Sequence, residues 1–327
     1  MRIVILSGGE GTRLRPLTLE MPKVMVPVLN QPLLEHTILH LKDEGISDFI
    51  LSLGHSFPVV QAYFGDGRRL GVNVGYTVEK TPLGTAGGVG KSRPVLKDTF
   101  GVFNGDIFCS FDLREMLSFH HKAGAMLTIA LIHVADPSMY GVVETVDGGR
   151  VAKFVEKPAP GEATTDLINA GMYIMEPEVL KYIPYDKPYS FEHELFPLLL
   201  ERGERVFGHL SSSYWMDIGT PYKYLKLHHD LLGNDLKMDD NCVLEEESRV
   251  LGPVSLGSGC VIASGAEVSG SVLWRRVNIG KGTRVVDCVI ASDCRISEGC
   301  YLEDCVLGHD VMLPSGMEIK EKVIWPP

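Results

Sequence analysis

The sequence is short of several features that would each announce a class. Nothing in its 327 residues approaches the ~20 consecutive apolar residues of a membrane-spanning helix, so no membrane partner is expected. Basic residues are scarce: 31 Lys and Arg stand against 42 Asp and Glu, a net charge of −11. A nucleic-acid partner demands a basic face, and none is expected here. The seven cysteines are odd in number, form no CxxC pair, and fall after residue 240 in six cases. That pattern excludes a disulfide framework and a zinc site and fits a reducing cytoplasm. The opening MRIVILSGGEGTR carries a short apolar run without a small-residue cleavage site, so it reads as a first strand and not a signal peptide.

What is present is an ordinary soluble composition, 45% apolar and 22% charged, on a chain long enough for two domains. Up to residue 235 short apolar runs alternate with helical patterns. Ile3 to Leu6, Phe49 to Leu53, Val72 to Tyr76, Phe100 to Phe103 and Leu127 to Val134 read as strands. Leu34, Ile38 and Leu41 recur at helical spacing, with Gly45 as a stop. Strands separated by helices predict parallel pairing in an α/β sheet. Ligands of such sheets sit beyond the carboxyl ends of the strands, where Gly8–Gly11 and Asn104–Asp106 emerge.

From 236 to 327 the texture changes. The segments starting at Val268, Val285, Leu302 and Ile319 begin 17 residues apart, and a second series, Ile262, Ile279, Ile296 and Leu313, keeps the same stride. Aliphatic anchors within each period lie six and eleven residues apart. Three short faces per coil, each with one aliphatic side chain inward and a turn of small residues, explain the spacing. The pattern resembles the hexapeptide-repeat, left-handed parallel β-helix. Cys288 and Cys305 fall at equivalent places in successive coils, which predicts stacked, buried thiols; a metal ladder lacks matching histidines.

The strongest chemical signal is Leu6-Ser-Gly-Gly-Glu-Gly-Thr-Arg-Leu-Arg-Pro-Leu-Thr18, followed by Pro22-Lys23. Glycines directly after a buried strand let main-chain N–H groups face phosphate oxygens. Arg13 offers a permanently charged fork and Lys23 a mobile point charge. A bare Gly-Gly-x-Gly is equally a tight turn with solvated cations, and the dinucleotide-binding pattern fails because Leu14 stands at its third glycine. TAGGVGKS, Thr85 to Ser92, imitates a P-loop but has Thr85 at the required first glycine. Taken singly, Asp106 in Asn-Gly-Asp is good turn chemistry, and Asp217 is one more loop acid. His120 and His121 read as positions on a solvated or core-edge helix.

Together these residues reach a known family. Residues 6–23 match GGxGTRLxPLT…PK without a gap. The resemblance continues in order through Pro82-Leu-Gly-Thr-Ala-Gly87, Asn104-Gly-Asp106, Tyr140-Gly-Val-Val143, Phe154-Val-Glu-Lys-Pro158, Asn169-Ala-Gly171 and Trp215-Met-Asp-Ile-Gly219. The chain resembles the sugar-1-phosphate nucleotidyltransferases over nearly its whole length, and within them the mannose-1-phosphate guanylyltransferases. The resemblance implies a Rossmann-like, GT-A-like mixed α/β sheet over 1–235, followed by a short left-handed β-helix over 236–327. It also implies a Mg²⁺-assisted in-line displacement on a nucleoside triphosphate by a sugar 1-phosphate, in a cytoplasmic homo-oligomer.

Carried over residue by residue, the resemblance gives nucleotide contacts to Leu6, Gly8, Gly9, Gly11, Thr12, Arg13, Lys23, Glu79, Gly84 and Asp106. It gives the sugar phosphate to Thr85, Gly141, Glu156, Lys157, Asn169 and Gly171, and the metal to Asp106 and Asp217. Arg13, Lys23, Asp106 and Lys157 are its catalytic set. Glu79 favours GTP, because a carboxylate accepts from the N1–H and N2–H₂ edge of guanine and offers thymine or uracil no donor. Heptose-phosphate guanylyltransferases and thymidylyl- or uridylyltransferases on glucose 1-phosphate stay open beside mannose 1-phosphate. A non-catalytic sugar-nucleotide-binding subunit would have lost a charged residue, yet Arg13, Lys23, Asp106, Lys157 and Asp217 are all present. A hexapeptide-repeat acyltransferase would need a solenoid histidine, and His309 is the only one there.

Overall fold

A computed structural model describes residues 1–54, 57–159 and 161–326. The chain divides into two compact units, Met1–Gly9 with His36–Trp215, and Glu10–Glu35 with Met216–Pro327.

The first unit is built on a nine-stranded sheet. Its strands are β1 (Arg2–Ser7), β2 (Asp48–Leu53), β3 (Asn73–Val78), β4 (Phe100–Asn104), β5 (Leu127–His133), β6 (Gly141–Val146), β7 (Arg150–Glu156), β8 (Leu167–Met175) and β9 (Val206–Leu210). They lie in the order β3-β2-β1-β4-β8-β5-β9-β7-β6. All five strands expected from the sequence form. β1, β2, β3 and β4 pair in parallel, as helix-separated strands must.

Beyond β4 the expected parallel pairing gives way. β8 runs antiparallel to both β4 and β5, and β6 and β7 form an antiparallel hairpin. The cause is local: β6 and β7 are joined by Asp147–Gly149, with Gly148 and Gly149 at φ 74° and 81°, and so short a link can only reverse the chain. Ile3, Val4 and Ile5 of the central β1 are fully buried, as a strand covered on both faces requires. Burial of each such side chain stabilises the fold by ~1.5–3 kcal/mol. Phe154, Tyr173, Phe191 and Phe196 form an aromatic cluster against the same core.

The second unit is a three-faced solenoid of parallel strands, the β-helix that the repeat predicts. Register confirms the 17-residue stride from Ser255↔Val272 onward; the first coil is one residue longer, Leu236↔Val254. Corners recur at residues in the left-handed region, such as Gly265, Gly282, Gly299 and Gly316 on one edge and Asp287, Asp304 and Glu321 on another. Glycine and short polar side chains tolerate that conformation best, and Glu247, Arg276 and Glu321 are the exceptions in the solenoid. Ile262, Val268, Leu273 and their repeats fill the interior.

All seven cysteines are free, and Cys305 N–H donates to Cys288 Sγ at 3.4 Å, the stacking expected. Burial pushes the Cys260 and Cys294 thiols up to about 12, so they stay protonated. No group of three metal-ligating side chains occurs among the described residues. His309 is buried with its ring 5.4 Å from Trp274, a packing position.

The Glu10–Glu35 segment docks on this solenoid. Its Leu29–Asn30 turn offers Asn30 Nδ2 to Leu256 O at 2.8 Å, and Leu29 N–H donates to His228 Nε2 at 3.2 Å. The Tyr224 hydroxyl donates to Pro27 O and accepts from Trp274 Nε1 at 3.0 Å.

Candidate active site

Within the first unit, β1 ends at Ser7 and delivers Gly8 beside Glu79, the residue that follows β3. The Ser52 hydroxyl donates to Glu79 Oε1 at 3.0 Å, and Leu83 N–H donates to Oε2 at 2.8 Å. The carboxylate is therefore fixed in orientation, and Oε1 lies 3.9 Å from where a side chain on Gly8 would begin. Four lone-pair sites serve a carboxylate, so two held oxygens still accept from a ligand. Ser52 is fully buried and absent from the sequence expectation; in a buried strand it gave no motif to notice.

Gly84 opens helix Gly84–Lys91, so TAGGVGKS is a helix and not a phosphate loop. The Thr85 hydroxyl, expected at the sugar phosphate, is engaged by protein. It donates to Glu192 Oε2 at 3.0 Å and accepts from Phe191 N–H at 2.8 Å.

A second group gathers around Tyr173. Asn169 Oδ1 accepts from Gly171 N–H at 3.0 Å, and its Nδ2 donates to the Tyr173 hydroxyl at 2.9 Å. The register of β8 breaks between Asn169 and Tyr173, and Gly171 sits there at φ 74°. Burial first, then the Glu192, Glu156 and Asp106 carboxylates, hold the Tyr173 phenol well above its ordinary pKa. Gly141 and Glu156 face each other across the β6–β7 hairpin. The Glu156 side chain is 15% exposed, and burial followed by Glu192 raises its pKa.

Lys157 Nζ lies 3.6 Å from Glu156 Oε1 with 60% of its side chain exposed. Its backbone is at φ 46°, a conformation uncommon outside glycine, and its N–H donates to Tyr140 O at 3.0 Å. Tyr140 meets Trp215 edge-on, and Trp215 Nε1 donates to Ala170 O at 2.9 Å, tying the Lys157 turn to the Asn169–Gly171 bulge. Gly105 N–H donates to Leu6 O at 2.8 Å, anchoring the Asn104-Gly-Asp106 turn to β1. Asn104 Oδ1 is buried with no hydrogen-bond partner among the described residues. Glu192 and Asn104 were missed as site residues; Ser190-Phe-Glu192 carried no spacing signal by itself.

The second unit holds Arg13, Lys23 and Lys223. Gly11 brings the loop so close that a Cβ there would stand 3.0 Å from Lys23 Cβ, and the Thr18 hydroxyl donates to Gly11 O at 2.7 Å. Thr12–Leu14 then make one helical turn that carries Arg13. Lys23 is only 7% exposed, with Nζ 3.8 Å from Asp217 Oδ1. Lys223 Nζ reaches Asp217 Oδ2 at 3.1 Å. A Cβ on Gly219 would lie 3.0 Å from Asp217 Oδ2 and 3.3 Å from Arg13 Nη2, so the glycine leaves room for Arg13 beside this acid. Two lysines thus share one acid with Arg13 nearby, an excess of positive charge that is costly to bury without an anionic ligand. Lys223 was not foreseen, since a lone lysine in a first helical turn looks like surface charge.

Residues 2–234 match the family model for nucleotidyl transferase, and residues 232–327 match that for the GMPPB C-terminal domain. The chain is 37% identical to a mannose-1-phosphate guanylyltransferase of Mycobacterium tuberculosis, covering 88% of this chain and 82% of the relative. It is 32% identical to a UTP–glucose-1-phosphate uridylyltransferase of Synechocystis, covering 89% and 87%. Among solved structures it resembles HddC from Yersinia pseudotuberculosis complexed with GMP-PN, at TM-score 0.61 and 28% identity over 70% of this chain and 99% of that one. Ordered loop, helix-borne glycines, carboxylates and clustered cations agree with those matches: the chain is an enzyme of the nucleotidyl transferase family.

Proposed function

We propose that the enzyme transfers a guanylyl group from GTP to mannose 1-phosphate, giving GDP-mannose and pyrophosphate. The observation that carries the base is Glu79, an acceptor-only edge held at both oxygens beside Gly8. The relative from Mycobacterium tuberculosis supports the same pair.

An oxygen of the sugar 1-phosphate attacks the α-phosphorus, the new P–O bond forms, and the bond to the β-phosphate oxygen breaks. The nucleophile is already ionised, so the protein supplies alignment and charge and no general base. Main chain at Leu6, Gly8, Gly9, Gly11, Thr12 and Gly84 holds the nucleotide. Arg13 and Lys23 neutralise the triphosphate, and Lys157 holds the attacking phosphate. Glu156 and Asn169, with main chain at Gly141 and Gly171, bind the sugar hydroxyls. Thr85 positions Glu192.

The oxygen donors Asp106 and Asp217 suit Mg²⁺, which takes one or two protein carboxylates, and the unpartnered Asn104 Oδ1 adds a buried oxygen near the Asp106 turn. When bound, Mg²⁺ supplies charge neutralisation along the phosphates. We assign transfer chemistry to residues 1–235 and support to 236–327. Exposed Leu236, Met238, Val243, Leu244 and Leu251 on the first coil favour a homo-oligomer through the solenoid. No helix among the described residues is long and apolar enough to cross a membrane.

The test is pyrophosphate release with Mg²⁺ across GTP, dTTP, UTP, ATP and CTP, against mannose 1-phosphate and glucose 1-phosphate. Turnover with GTP and mannose 1-phosphate, abolished by EDTA and in Asp106→Ala, is expected. Preference for UTP and glucose 1-phosphate would overturn the substrate pair.

A further inference from the structure

Lys223 is out of place by the rules of its own helix. The helix Pro221–Leu232 starts from Thr220, whose hydroxyl accepts Lys223 N–H at 3.3 Å, and Pro221 occupies the first helical position. Lys223 is therefore the third helical residue, the position where a capping box puts Glu or Gln. A cation there also faces the positive end of the helix dipole, which disfavours it. A residue that breaks a local rule points to compensation elsewhere.

The compensation is Asp217. Lys223 Nζ donates to Asp217 Oδ2 at 3.1 Å, while Lys23 Nζ stands 3.8 Å from Oδ1, so each carboxylate oxygen has its own ammonium. The Asp217 side chain is 13% exposed and the Lys223 side chain 31%, so the pair is only partly screened by solvent. Both oxygens of a carboxylate assigned above to the metal are thus already covered by cations of the protein.

We infer that Lys223 is a placeholder cation: it holds and neutralises Asp217 until the divalent ion takes the carboxylate, and so sets how tightly that ion binds. The inference rests on the assignment of Asp217 to the metal. Lys223 has to release Oδ2, or share it, when the ion arrives. The ion therefore competes with an ion pair, and the competition weakens its binding. The placeholder keeps the carboxylate oriented, and keeps its uncompensated charge from repelling incoming phosphates. Lys223 is a positioning residue in this reading, not a catalytic one.

The experiment titrates Mn²⁺ against the full-length protein, without nucleotide, and follows free Mn²⁺ by electron paramagnetic resonance. Wild type, Lys223→Met, Lys223→Arg, Asp217→Asn and the Lys223→Met/Asp217→Asn double variant are compared. Lys223→Met is expected to bind Mn²⁺ about fivefold more tightly, the size of one partly screened ion pair. Lys223→Arg should stay near wild type, and the gain should vanish in the double variant. A role confined to helix stability would lower the melting temperature and leave Mn²⁺ affinity unmoved.

Unchanged or weaker Mn²⁺ binding in Lys223→Met, with Asp217→Asn clearly impaired, overturns the inference and leaves the metal assignment standing. Asp217→Asn indistinguishable from wild type overturns both. If Lys223→Met does not fold, Lys223→Gln gives the same comparison, since its neutral amide keeps a donor without the charge.

Discussion

Replacing Glu79 by Gln is the sharpest probe of base recognition, because it changes a single atom. The glutamine oxygen can keep the Leu83 N–H bond, and its amide can donate to the Ser52 hydroxyl, which accepts as readily as it donates. The atom replaced is then Oε1, the one facing Gly8. A guanine N–H that met an ionised acceptor there would meet another donor. The lost charge-assisted bond is worth ~1.5–3 kcal/mol and an unsatisfied donor costs ~1–3 kcal/mol more. Taking the lower halves, because Glu79 is only half-buried, gives about 3–4 kcal/mol. At ~1.4 kcal/mol per tenfold, kcat/KM for GTP should fall by roughly 100- to 1000-fold. Uracil offers carbonyl acceptors to the new amide, so UTP should lose little and the GTP/UTP ratio should collapse. Steady-state pyrophosphate release with both nucleotides measures this, with a thermal melt as the control for folding. A Glu79→Gln enzyme that melts like wild type and keeps GTP kcat/KM within about threefold would refute the assignment of the base to Glu79.

Two further outcomes test the sugar end. Gly171→Ala puts a methyl group at φ 74°, 2.4 Å from Ile107 Cδ1 and 2.7 Å from Asn104 Nδ2. Backbone strain and overpacking together should cost ~2–5 kcal/mol in urea denaturation, and an unchanged midpoint would mean the bulge relaxes freely. Glu156 has a folded-state pKa above its ordinary 4.5, so the folded protein binds its proton more tightly than the unfolded chain does. That contribution is fully present below the unfolded pKa and is lost as pH rises through the folded one. Glu156→Gln should therefore gain stability over wild type as pH rises from the ordinary carboxylate value through the raised folded one, while impairing turnover; a pH-independent difference between the two would contradict the shift.

Much of this was legible because it is periodic or contiguous. The parallel strands announce themselves as apolar runs between helices, and the 17-residue stride declares the solenoid. The Gly8–Lys23 loop is one uninterrupted motif. What the sequence withheld are residues whose meaning comes from neighbours far along the chain. Ser52 matters because Glu79 lies across from it, and Glu192 because the Thr85 hydroxyl donates to it. Lys223 matters because Asp217 lies six positions earlier on a different element. The mixed character of the sheet came from the family resemblance, and the strand-and-helix pattern alone pointed to parallel pairing throughout. A two-glycine link at Gly148 and Gly149 outweighed an inference drawn from helices elsewhere.

The solenoid carries a further meaning through its fixed stride. Each coil meets only its neighbours, residue to residue, so removing 17 residues would hand every strand an equivalent partner. Removing one residue would instead rotate every later corner onto a side chain unfit for it. Its length is therefore counted in whole coils. The hold on the Leu29–Asn30 turn, by Ser255, Leu256 and His228, lies at the entrance of that series. The far end also touches the loop: a Cβ on Gly308, just past Val306–Leu307, would stand 3.1 Å from Pro16 Cβ, so a late coil braces the segment that carries Arg13 and Lys23. The solenoid thus grips the Glu10–Glu35 segment near both ends of its series, and a change in the number of coils is felt by that segment.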